Sequence, residues 1–170
     1  LDRERVWTDA DALLDLCERI EDLPASAPRA RVCRLASQLL ALYKGQLHHE
    51  GDGPWVVAYG SRLRLRFIAA AELLGARLEE SGDWAAAGRI YRGMLGAEPL
   101  CEAAYRGLMR GAHAGGDSAT AFSHYRFCRD TLSIVLNRPP SMQTRQLAEF
   151  LGLFEPVARA GAAAAVPLAA

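Results

Sequence analysis

The most chemical-looking stretch of this 170-residue chain is His48-His49-Glu50. Imidazole and carboxylate groups can bind zinc. Adjacent residues on a loop point in different directions, however, and no second His or Cys pair stands at ligand spacing to complete a tetrahedral site. A solvated loop is the default reading, and neither a metal nor a cofactor is expected. The four cysteines, Cys17, Cys33, Cys101 and Cys128, are widely spaced with no C-x-x-C pair. They read as reduced, small buried hydrophobes of a cytoplasmic protein rather than as disulfide or metal partners. No nucleophile stands with a base and an orienting group, so no enzyme is expected.

Charged residues offer a second kind of chemistry. Glu72, Ala76 and Glu79 repeat at steps of three and four, as do Arg106, Arg110 and His113. If both segments are inner helices of repeated hairpins, Glu72, Glu79, Arg106, Arg110 and His113 line a concave groove able to hold a peptide or charged ligand. The alternative is two solvated faces making ordinary ion pairs. Arg62, Arg64, Arg66 and Arg77 suggest a basic strip but read as a solvated helix face. Lys plus Arg number 20, as do Asp plus Glu, giving zero formal net charge. That balance argues against a nucleic-acid surface, which needs clustered cations. Trp7, Trp55 and Trp84 stand at predicted helix entries, where core packing is expected.

The elements that must position these residues announce themselves through a repeat. Gly82-Asp83 and Gly116-Asp117 lie 34 positions apart, with Leu74 matching Leu108, Ala87 matching Ala121 and Tyr91 matching Tyr125. This is the tetratricopeptide period, best seen over 68–101 and 102–135. Small residues such as Gly75, Ala87 and Ala121 let paired helices approach while Leu and Tyr fill the space between them. Gly82 and Gly116 mark turns, and Pro99 ends the first copy. Ser133 replaces the closing Pro of the second, letting its last helix run on.

Apolar periodicity predicts helices over about 9–22, 29–44, 55–80, 84–97, 100–114 and 118–136, with a short one from Ser141 through Leu151. Thr8 and Asp11 form a capping box, Gly45 a C-cap signal, and Gly60 a point of bending. The expected fold is all-α, a tetratricopeptide-like hairpin array of about seven helices in a right-handed superhelical stack. One domain over 1–152 is followed by an Ala-rich tail, 153–170. No apolar run is long enough to span a membrane. The absence of a signal peptide and the initial Leu1 suggest a segment of a longer protein.

The order of several short stretches is more particular. The run Ala41-Leu42-Tyr43-Lys44-Gly45-Gln46-Leu47 precedes an acidic Gly-containing loop, Trp55 and Ser61-Arg62-Leu63-Arg64. Further on come Gly82-Asp83-Trp84 with Ala87, Pro99 to Tyr105 before Leu108-Met109, and Arg138-Pro139-Pro140-Ser141-Met142-Gln143-Thr144-Arg145. Together, over roughly 6–150, these resemble the bacterial transcriptional activator domain. Members typically carry L-G-x-x-P-S-x-x-T near the end, and here Asn137 stands in place of its Gly. The resemblance implies a helical regulatory module that usually accompanies a winged-helix DNA-binding domain or a nucleotide-binding core. Neither a helix-turn-helix nor a phosphate-binding loop is found here. Its implied partners are proteins: other domains of the parent regulator, a second copy, or the transcription machinery. A free-standing adaptor holding a peptide in its groove is the alternative.

Overall fold

Apolar stripes at helical spacing need partners, and the short polar stops between them dictate which stripes meet. The computed structural model describes residues 8–45 and 53–153. Among these, seven helices and no strand are found: α1 (Asp9–Glu21), α2 (Arg29–Leu42), α3 (Pro54–Glu80), α4 (Trp84–Ala97), α5 (Glu102–Ala114), α6 (Ser118–Leu136) and α7 (Met142–Phe150). His48-His49-Glu50, Trp7 and the tail beyond 153 lie outside the described residues.

The repeat is explicit in the turns. Gly82 and Gly116 take φ of 74° and 76° after α3 and α5, a conformation that spares only glycine a Cβ clash. Asp83 N–H then reaches back to Leu78 O at 2.8 Å, and Asp117 N–H to Ala112 O at 3.0 Å, the Schellman closure. Each aspartate side chain next accepts from the backbone of the new helix, Asp83 from Ala86 and Asp117 from Thr120. One Gly-Asp pair thus stops a helix and starts its neighbour. Asn137 closes α6 in the left-handed region at φ 50°, the turn expected of a residue standing in for Gly. The capping box at Thr8 and Asp11 is formed as expected.

Each helix packs on the next from α1 to α6, and contacts also join α1 with α3, α2 with α4, α3 with α5 and α5 with α7. This is the neighbour pattern of successive hairpins, with α3, α5 and α7 along one side. The main core spans α1 to α5 and includes Ile20, Leu39, Phe67, Leu74, Tyr91 and Met94. Two smaller clusters hold the C-terminal end: Met109, Ala121, Ala148 and Leu153, and Tyr105, Cys128 and Leu132.

Three expectations are corrected. Helix α2 stops at Leu42 rather than Lys44, because Tyr43 leaves helical geometry to stack on Phe67 at a centroid separation of 4.1 Å. Trp55 is 75% exposed instead of packed; the first fully buried residue of α3 is Leu63, two turns later. Three of the four α3 arginines are not part of a solvated strip: Arg64 bonds Glu98, Arg66 pairs with Glu21, and Arg77 donates to Leu23 O, while Arg62 is exposed. Helix α3 runs through Gly60 without interruption. Of the cysteines, Cys17, Cys101 and Cys128 are buried and Cys33 is half-buried, all as free thiols; burial pushes Cys128 up to about 12.

Candidate interaction face along α3, α5 and α7

Helical spacing places Glu72 and Glu79 on α3 opposite Arg106 and Arg110 on α5, and the structure brings these four together as two pairs. Arg110 grips Glu79 with both arms, Nε to Oε2 at 2.8 Å and Nη2 to Oε1 at 2.9 Å. Tyr91 Oη donates to the same Glu79 carboxylate at 2.6 Å. Burial, then the bond to Glu79, raises the Tyr91 phenol above its ordinary value. Burial works against the charge of Arg110, but the bonds to Glu79 outweigh it and raise its value. A bidentate pair with a third donor is geometrically fixed, so Glu79 and Arg110 hold α3, α4 and α5 in register.

Tyr91 owes its position to two glycines. A Cβ on Gly75 would lie 2.5 Å from the Tyr91 hydroxyl, and one on Gly107 would fall even closer to the ring. The phenol therefore fills a slot between α3 and α5 that no side chain at either position permits. Gly75 stood out in the repeat signature; Gly107 gave no signal, standing two residues before Met109, the position that matches Gly75.

The second pair is looser. Arg106 Nη2 lies 3.8 Å from Glu72 Oε1, and the Glu72 side chain is about half exposed. Arg106 turns its other arm to Thr144 Oγ1 at 3.2 Å. Thr144 is fully buried, and its N–H donates to Ser141 Oγ at 3.4 Å as the cap of α7. Ser141 in turn donates from its backbone and hydroxyl to Glu102 Oε2, at 2.8 and 2.7 Å. Burial would raise the Glu102 carboxyl, but the hydrogen bonds from Thr144 and Ser141 prevail and hold it below its usual range. The Pro-Ser-x-x-Thr stretch singled out in the sequence is thus a clasp of α7 onto α5. His113, exposed in the last turn of α5, joins neither pair.

A third polar cluster escaped the sequence reading. Glu98, 5% exposed at the end of α4, accepts from Tyr43 Oη and from Arg64 Nε. Its partners stand 55 and 34 residues away, a separation without any local periodic trace.

The face along α3, α5 and α7 therefore carries two locked residues, Glu79 and Arg110, and a less constrained set, Glu72, Arg106 and His113. Among the described residues, no group of three or more His, Cys, Asp or Glu stands close enough to hold a metal ion, and no helix is long and apolar enough to cross a membrane. Comparison with curated proteins and with solved structures gave no significant match. A family model described as the bacterial transcriptional activator domain matches residues 8–151.

Proposed function

This chain belongs to the bacterial transcriptional activator domain family, and from that premise we propose that it is the regulatory contact module of a transcription activator. It works through protein–protein contacts and without catalysis, in the cytoplasm, while DNA binding is supplied by another part of the parent protein. The family match over 8–151 carries this reading. The side chains support it: the polar networks among the described residues join helix to helix, as a contact scaffold requires. The balanced charge favours protein over phosphate contacts.

The contact face is that of α3, α5 and α7, in a tetratricopeptide-like array. Glu72, Arg106 and His113 present exchangeable charge there, and Glu79 with Arg110 fixes the spacing of the helices that carry them. A partner whose charges complement this face draws the half-exposed Glu72 away from its long 3.8 Å contact with Arg106 at little loss, while Arg106 keeps its bond to Thr144.

Deletion of residues 8–151 from the parent regulator, with promoter activity and DNA occupancy measured in parallel, tests the proposal. Lost or unregulated activation with occupancy retained is expected. Unchanged activation and control would overturn it.

A further inference from the structure

On the side away from α7, helices α4 and α6 flank α5 and leave a groove of about 270 Å³. Gly107, Leu108, Gly111 and Ala112 of α5 line it together with Trp84 of α4. A Cβ on Gly111 would lie 3.8 Å from the Trp84 ring, so the indole stands beside the bare backbone at Gly111. Arg92 folds back along α4 until its Nη1 is 3.3 Å from where a Gly88 Cβ would stand. The absent side chain at Gly88 is what lets the guanidinium lie in the groove. His124 of α6 enters from the opposite wall.

The groove contains two basic side chains and no carboxylate. Arg92 is exposed and, like several other surface arginines such as Arg31 and Arg34, makes no ion pair among the described residues. Asp117 is the carboxylate that acts on His124, and it caps α6 by accepting from Thr120 N–H at 2.9 Å. An arginine without an ion-pair partner beside an indole and bare backbone is suited to a carboxylate carried on an extended chain.

We propose that the α4–α6 groove is a second docking site that takes an acidic peptide segment of a partner protein, its carboxylate held by Arg92 and His124 and its chain lying over Gly111 against Trp84. One permanent cation matches a singly charged carboxylate better than a doubly charged phosphate. The site lies across α5 from the face along α3 and α7, and its occupation does not require that face to be a contact surface.

His124 gives the site a pH dependence. Burial first, and then the charge of Arg92, hold its imidazole below the ordinary value, with Asp117 as the partial counterweight. Protonating it is unfavourable in the empty groove and favourable beside a bound carboxylate. Affinity therefore rises as pH falls.

The test titrates the 170-residue chain into a fluorescein-labelled, amide-capped glutamate-rich peptide, with a glutamine-rich peptide as control, and reads anisotropy. A free-carboxylate version of the control distinguishes a chain terminus from a side chain as the source of the anion. Arg92→Gln should weaken binding about tenfold, the loss of one charge-assisted pair. Binding should tighten from about pH 8 to about pH 6 in the parent chain but not in His124→Gln. Amide shifts at Gly88 and Gly111 on peptide addition would locate the site independently, and far-UV dichroism verifies that the variants fold. Absent binding, equal binding by Arg92→Gln, or a pH slope that survives in His124→Gln would overturn the proposal.

Discussion

Tyr91 shows how one side chain dictates the types of its neighbours. Its ring occupies the slot opened by Gly75 and Gly107, and its hydroxyl is held by the Glu79–Arg110 pair. Replacing Gly107 by Ala forces the phenol out, and overpacking of this kind destabilises by about 2 kcal/mol. Around Gly96 of α4 there is open space, with no atom within 4 Å of where a Cβ would stand, so Gly96→Ala should stabilise by about 0.5–1 kcal/mol through helix propensity alone. Urea unfolding of the two variants checks both signs. Glu98→Ala strands Arg64 and the Tyr43 hydroxyl together and should lose about 3 kcal/mol by the same measurement. The two glycines at the Tyr91 slot differ in how visible they were beforehand. Gly75 falls on the repeat signature, whereas the demand on Gly107 arises only when α5 closes on the ring that α4 carries. Glu98 was hidden for the same reason: its meaning depends on partners brought from α2 and α3.

At the scale of elements, local rules sufficed wherever a helix boundary is set by its own residues. The Gly-Asp pairs at 82–83 and 116–117 and Asn137 ended their helices where the sequence placed them. Tyr43 broke the rule because stacking on Phe67 and bonding Glu98 favour an early exit from α2. Helix α7 depends on another long-range bond, the Ser141–Glu102 clasp. Because the folded Glu102 value is depressed, its contribution is complete above the ordinary glutamate value of 4.5 and is lost as pH falls through the folded value. Hydrogen exchange of α7 amides should therefore quicken selectively in acid, and Glu102→Gln should quicken it already at neutral pH. Equal protection in both chains at neutral pH would show that the clasp does not hold α7. Helix α6 rests on small clusters outside the main core, so α6 and α7 should exchange ahead of α1 to α5.

For the whole molecule, the all-helical class and the family were readable from a 34-residue period and a few ordered motifs. The contact face was less so. Helical spacing put Glu72 and Glu79 across from Arg106 and Arg110, but only the packed structure separates Glu79 and Arg110, which fasten the helices, from Glu72 and His113, whose side chains reach solvent. Arg110→Ala would weaken the scaffold along with the face. Changing the charge at the two accessible positions addresses the face alone. The decisive measurement is reporter activation by the parent regulator carrying Glu72→Lys with His113→Glu, alongside its promoter occupancy and the melting temperature of the isolated domain. The account predicts activation reduced by about tenfold, the effect of losing about 1.4 kcal/mol of partner contact, with occupancy and melting unchanged. Activation at the parent level in that folded, promoter-bound variant would contradict it.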